Sequence, residues 1–197
     1  MRSTGANRGG KRIIVGATGA SGLPILVKCL ELIGEQPEYE SYLIMSHSAV
    51  LTLGQETDLS AEQVEGLADH VLGPDEIGAG PASGSFAAEG MLIVPCSMKT
   101  VAGIASGYSD NLLLRAADVV LKERRQLTLV PREAPMNVIH CRNLLTLAEL
   151  GCTIIPPVMT FYNRPESISD MVRHIACKVL DSFGIYENDM DRWEYHT

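Results

Sequence analysis

The stretch that most constrains this chain is Lys11–Gly22, KRIIVGATGASG: an apolar run that stops in a loop with Gly16, Gly19 and Gly22 three apart and Ser21 before the last. A strand that ends so and resumes as a helix over Leu23–Ile33 predicts bare backbone N–H groups at a helix N-terminus, where an anion is stabilised. Phosphate is the expected ligand. The loop is not the dinucleotide fingerprint G-x-G-x-x-G, because Ala17 or Thr18 stands where that motif has its second glycine.

The rest of the chain repeats the strand-then-helix pattern. Apolar runs at Tyr42–Met45, His70–Leu72, Met91–Pro95, Gln126–Val130 and Cys152–Ile155 alternate with helical segments. The latter are His47–Leu53, Ser60–Ala68, Val101–Ser106, a helix capped by Asp110 or Asn111 and running through Lys122, Met136–Leu150 closed by Gly151, and Ser167–Phe183. In the last, Ile168, Met171, Val172, Ile175, Val179 and Leu180 form the expected buried stripe. Strands that read as continuous apolar runs are buried on both sides. The predicted fold is therefore α/β, doubly wound (Rossmann- or flavodoxin-like), a mostly parallel sheet with helices on both faces in a three-layer sandwich.

At 197 residues the chain is long enough for one domain with a full core. We expect residues 1–10 to be a disordered leader, 11–197 a single domain, and a C-terminal tail from about residue 184. A net charge of −8 argues against nucleic acid, whose phosphate backbone needs a basic face. Five scattered cysteines without a C-x-x-C pair argue against a zinc site or disulfide framework and fit a reduced, cytoplasmic setting. No apolar run approaches the roughly 20 residues of a membrane span.

In doubly wound sheets, ligands bind beyond the carboxyl ends of the strands. Those ends carry Gly19, Ala20 and Ser21; Ser46; Ser97, Met98, Lys99 and Thr100; Arg132 and Glu133; and, after a short loop, Tyr162. Any one of these is explained by the usual polarity of loops and helix caps; together on one edge they favour a site. A dinucleotide enzyme would carry an acid near the end of the second strand for the ribose, yet that strand ends in Met45-Ser46, so a mononucleotide fits better. Arg115 and Lys122 lie two turns apart on one helix face, and the ordinary reading of Lys122, Arg124 and Arg125 is solvated cations at a helix C-terminus. Arg132 could grip phosphate and Glu133 move a proton, against a surface ion pair as the plain alternative. The five histidines show no metal-ligand spacing, so no metal is expected, and Cys96 reads as a small buried hydrophobe.

GATGASG, PASGSF at 81–86, PCSMKT at 95–100, RAADVVLKERR at 115–125, LVPREAP at 129–135 and FYNRP at 161–165 together resemble the UbiX-like flavin prenyltransferase family, across residues 11–193. The resemblance implies transfer of a dimethylallyl group from dimethylallyl phosphate to reduced FMN, first at the central-ring nitrogen and then by ring closure at the neighbouring benzenoid carbon, without a metal. The product, prenylated FMN, would serve a UbiD-type decarboxylase. By the same resemblance Gly19, Ala20, Ser21, Ser46, Ser97, Met98, Lys99, Thr100 and Arg132 bind FMN. Tyr162, Lys178, Arg115 and Lys122 hold dimethylallyl phosphate, with Lys178 where other members have arginine, which keeps charge but loses a bidentate grip. Trp193 matches the family's aromatic position, and Glu56 and Glu133 are the proton-handling candidates, their roles interchangeable from sequence. Cations would stabilise the departing phosphate, and an aromatic face the allylic cation. The family implies a homododecamer with sites between subunits.

Two other readings compete. Related FMN-dependent decarboxylases acting on cysteine-type substrates carry PASANT and a P-x-M-N-x-x-M-W clamp, from which PASGSF departs and which Pro135-Met136-Asn137 only grazes. A non-catalytic FMN-carrying subunit of a decarboxylase complex would have no use for Glu133, Lys122 and Tyr162.

Overall fold

Along the first strand, neighbouring side chains part to opposite sides: Ile13, Val15 and Ala17 enter one apolar cluster and Ile14 another. The fourth strand does the same, with Leu92 and Val94 on one side and Met91 and Ile93 on the other. That period-two split makes a sheet sandwiched between two helical layers.

The computed structural model describes residues 10–187. In order the elements are β1 (Lys11–Ala17), α1 (Leu23–Gly34), β2 (Tyr39–Met45), α2 (His47–Glu56), α3 (Ala61–Glu65), β3 (His70–Leu72), β4 (Gly90–Cys96), α4 (Met98–Ala105), α5 (Leu112–Lys122), β5 (Gln126–Pro131), α6 (Val138–Glu149), β6 (Thr153–Ile154) and α7 (Ile168–Leu180). The six strands pair in the order β3-β2-β1-β4-β5-β6, and every pairing is parallel, where the sequence pattern promised mostly parallel. This is the doubly wound order in which strand direction of growth reverses between β1 and β4, the place where such sheets open a crevice. The helices divide by cluster: α1, α2, α3 and α7 cover one face, α4, α5 and α6 the other.

Several expected boundaries move. The helix after β4 starts at Met98, with Ser97 as its cap, so Lys99 and Thr100 lie in its first turn rather than in a preceding loop. Asn111 and not Asp110 caps α5, its side chain accepting from the Leu114 N–H at 2.9 Å. Ile168, expected on the buried stripe of α7, is 79% exposed, because the helix begins there and packs against the core only from Val172 onward. The expected leader apart from Gly10, the end of the expected tail, and Trp193 lie outside the described residues.

Candidate active site

The β1–α1 loop is built differently from a phosphate cradle. Gly22 has φ 129°, a conformation closed to L side chains, and starts α1. A Cβ on Gly19 would lie 2.4 Å from Cβ of Ser48, so this glycine is required by the contact with α2. The N–H groups of Gly22 and Leu23 both donate to Oε2 of Glu56, at 2.8 and 2.9 Å, and Pro24 has no N–H to offer. The anion expected at this helix N-terminus is thus a side chain of the same protein, the carboxylate at the end of α2. That corrects the expectation of bare N–H groups awaiting phosphate here. Spacing of glycines shows that a loop is tight; it does not show who fills it.

Burial alone would raise the Glu56 carboxyl, but the Ser21 hydroxyl and the two N–H groups hydrogen-bond to it and Arg132 adds positive charge, so it is held below the usual carboxylate range. Glu56 therefore links two assigned positions, Ser21 and Arg132, that come from different parts of the chain. The plain alternative for Arg132 and Glu133 does not hold. No ion pair joins them among the described residues, and Glu133 Oε1 instead accepts the Ala134 N–H at 3.0 Å.

Thr18, which sequence reasoning used only to rule out a glycine, ties β1 to β4. Its hydroxyl donates to the Pro95 carbonyl at 3.0 Å and accepts the Ser97 N–H at 2.7 Å, while its own N–H reaches Pro95 at 3.1 Å. A hydroxyl at a strand end was its only signal in the sequence; in the fold it is 4% exposed. Ser97 in turn caps α4 by accepting the Thr100 N–H, with its Oγ 3.1 Å from Thr100 Oγ1. Ser46 caps α2 by accepting the Ala49 N–H at 3.1 Å, and its own N–H donates to Ala17. The Arg132 N–H donates to Cys96.

Ser46, the Thr18–Gly22 loop, Ser97–Thr100 and Arg132 thus stand on the carboxyl ends of β2, β1, β4 and β5, four neighbours in the sheet. At roughly 4.8 Å per strand the edge is about 14 Å wide. The first N–H groups of α2 and α4 have no partner within their helices. Cys96 is fully buried beneath it, and burial pushes its thiol far up, which suits packing and not nucleophilic attack.

The cations expected around a second phosphate are elsewhere. The Leu112 N–H donates to Pro74, just past the end of β3, so α5 starts at the carboxyl edge and runs back along the sheet. Its last residue, Lys122, lies beside the start of β5, whose Gln126 faces Gly90, the first residue of β4. Lys122 and Ser97 are therefore at opposite ends of β4, a seven-residue strand about 20 Å long. Lys122 is paired with Glu123, and Arg115 with Asp118 at 2.6 Å and the Ala82 carbonyl at 3.2 Å. Lys178, 62% exposed and 4.0 Å from Asp181, is also near the amino edge, since the Phe183 carbonyl just beyond accepts from Tyr39, the first residue of β2. Tyr162 lies against α7, its hydroxyl 3.4 Å from Nε2 of the buried His174, one helical turn from Lys178.

The chain matches the Flavoprotein family over residues 1–180. Flavin prenyltransferase LpdB of Lactiplantibacillus plantarum is 53% identical over 184 residues, covering 93% of this chain and 98% of that protein. A dodecameric FMN-dependent UbiX-like decarboxylase from Escherichia coli O157:H7 superposes with a TM-score of 0.92 at 47% identity, covering 93% of this chain and all of that one. AnUbiX (PadA1), solved in complex with FMN and dimethylallyl pyrophosphate, superposes equally well, with a TM-score of 0.92 at 42% identity over 95% of this chain and 100% of its own. The FMN-dependent cysteine decarboxylase TvaF, at 14% identity and a TM-score of 0.63, shares the fold alone.

Proposed function

This chain belongs to the UbiX-like flavin prenyltransferase family, and we propose that it joins the dimethylallyl group of dimethylallyl phosphate to reduced FMN and releases prenylated FMN to a UbiD-type decarboxylase. The observation that carries this is the carboxyl edge: Ser46, Gly19–Ser21, Ser97–Thr100 and Arg132 converge on four adjacent strand ends, with Glu56 lodged among them. The donor set fits a flavin mononucleotide. Hydroxyls and the open N–H groups at the starts of α2 and α4 suit its single phosphate, since the start of α1 is taken by Glu56. The exposed Lys99 and Arg132 add positive charge.

When bound, reduced FMN supplies the electron-rich nitrogen and carbon that accept the prenyl group. The allylic C–O bond breaks with its electron pair on the phosphate, the flavin nitrogen gives up its proton as it bonds the allylic carbon, and ring closure takes up one proton at the alkene and releases one at the benzenoid carbon. These demands separate the two glutamates. Glu56, kept ionised and touching Ser21 on the flavin side, is placed in this reading as the proton acceptor, relayed through the Ser21 hydroxyl. Glu133 spends one carboxylate oxygen on the Ala134 N–H and serves the departing phosphate. Lys122, Arg115, Tyr162 and Lys178 stabilise that phosphate. Trp193 is proposed as the aromatic face for the allylic carbon, on the resemblance alone.

Because Lys122 and Ser97 stand at opposite ends of β4, they serve one reaction only if they come from different copies. Surfaces for such assembly are present. Helix α6 buries only Leu147 and exposes Val138, Ile139 and Leu145, and the segment before α7 exposes Val158, Met159 and Phe161. We assign the dodecamer of the Escherichia coli relative to this chain on that basis, in a cytoplasmic setting that keeps its thiols reduced. Among the described residues, no helix is long and apolar enough to cross a membrane.

The test is to incubate the protein anaerobically with reduced FMN and dimethylallyl phosphate and weigh the flavin. A gain of one prenyl unit is expected; an unchanged flavin mass would contradict the reading, and carbon dioxide released from an aromatic acid by the chain alone would favour a decarboxylase.

A further inference from the structure

The segment Pro81–Phe86 has almost no regular structure, only a one-turn 3-10 helix over Gly80–Ala82, yet it is fastened along both sides. On one side the Phe86 ring meets Tyr42 edge-on at 5.0 Å and has the Arg12 guanidinium 5.0 Å from its centre. It lies so close to Gly80 that a Cβ there would come within 2.7 Å of the ring. On the other side runs α5 and its exit. Arg124 takes φ 55°, the left-handed turn by which the chain leaves the helix, and Arg125 follows it. Its guanidinium is a fork between two loop carbonyls, NH1 to Phe86 at 2.6 Å and NH2 to Gly84 at 2.9 Å. With Arg115 on Ala82, three bonds hold the loop along the helix.

Between those bonds the loop backbone touches the Lys122–Glu123 pair. A Cβ at Gly84 would lie 2.8 Å from Nζ of Lys122 and 2.2 Å from Oε1 of Glu123. A lysine has a long flexible stem and gains a defined direction only if something confines it. Glu123, a surface side chain beside it, gives it a partner but no wall. The wall is the Gly84 backbone, and Arg125 keeps it there.

We infer that Arg125 is a positioning residue for prenyl transfer: by gripping the Gly84 and Phe86 carbonyls it holds the loop against Lys122 and so sets where the lysine ammonium points. The inference rests on the role proposed above for Lys122. Arg125 does not meet the phosphate itself, because both terminal nitrogens are engaged within the chain. A lysine in its place offers no planar fork for two carbonyls and should hold the loop only in part.

The assembled full-length protein and its Arg125→Ala, Arg125→Lys and Gly84→Ala variants test this by KM for dimethylallyl phosphate, Kd for FMN, and hydrogen exchange across residues 82–88. Arg125→Ala should raise KM about tenfold, speed exchange in the loop, and leave FMN affinity within about twofold. Arg125→Lys should fall between it and the parent. In Gly84→Ala the obstructing atoms are the tips of two mobile side chains, so exchange should stay slow while KM still rises. Equal losses in KM and FMN affinity, or an unchanged loop in Arg125→Ala, would overturn the inference. Should the parent protein make no prenylated flavin, the proposed activity fails; calorimetric titration of dimethylallyl phosphate then decides the role of Arg125, which is upheld by about tenfold weaker binding in Arg125→Ala and defeated by equal binding or by none in the parent.

Discussion

The two edges of the sheet are made in opposite ways. At the carboxyl edge, Thr18, Ser46, Ser97 and Glu56 bond to backbone groups of neighbouring elements, and the anion-binding helix start is already closed by a carboxylate of the same chain. At the amino edge, Lys122 and Lys178 stand on the surface with, among the described residues, only neighbours in sequence as ion-pair partners, and Arg125 is spent on holding a loop. One edge is complete within a chain; the other presents charge outward. The difference teaches that if, as proposed, the flavin is held at one edge and the phosphate at the other, the reaction belongs to the assembly.

The sharpest way to break that contrast is to remove a group proposed for proton transfer while FMN still binds. Glu133→Gln should lower kcat by roughly 10²–10⁴-fold while FMN still binds, as read by stopped turnover and flavin fluorescence. Full turnover would remove Glu133 from the chemistry. Next in size, Lys122→Ala should raise KM for dimethylallyl phosphate by about ten- to a hundredfold and leave FMN binding nearly unchanged; equal weakening of both would make the amino edge merely structural.

Thr18→Val probes the other edge. It keeps the shape but leaves the Ser97 N–H without its 2.7 Å partner, at a cost of about 1–3 kcal/mol in urea denaturation. It should also weaken FMN, because the start of α4 shifts with Ser97. The smallest effect expected is of pH. The Glu56 carboxyl is depressed in the folded protein, so its contribution to stability is full above the unfolded value of about 4.3 and is lost only as pH falls through the lower folded value. Denaturation midpoints between pH 5.5 and 8 should therefore be the same for the parent and for Glu56→Gln once their constant offset is removed. An offset that grows as pH falls within that window would show a raised carboxyl instead.

Where local pattern decides, the sequence was legible. Strands such as Gly90–Cys96 are buried at every position, and a continuous apolar run says so directly. The cap of α5 at Asn111 was one of the two the sequence offered, a polar residue just before helical periodicity. The clustering of Ser46, Gly19–Ser21, Ser97–Thr100 and Arg132 on one edge was readable because each follows a strand. Glu56 was not, except through family resemblance. Its carboxylate crosses from the end of α2 to the start of α1, a contact over 34 residues with no local signature. Arg125 escaped for the same reason, since a cation at a helix exit reads as solvated until a loop 39 residues away is found on it. Ile168 misled because period alone cannot tell where along a helix packing against the core begins.

The claim that one site is built from two copies can be measured by subunit mixing. Glu56→Gln and Lys122→Ala proteins, each impaired by itself and assayed at dimethylallyl phosphate well below the raised KM of Lys122→Ala, are dissociated, combined in equal amounts and reassembled. If Glu56 and Lys122 of a working site belong to different chains, random mixing restores about a quarter of the parent activity, since half the flavin edges and half the amino edges are intact. If both belong to one chain, no mixed site is whole and activity stays at the level of the separate variants, which would contradict the account.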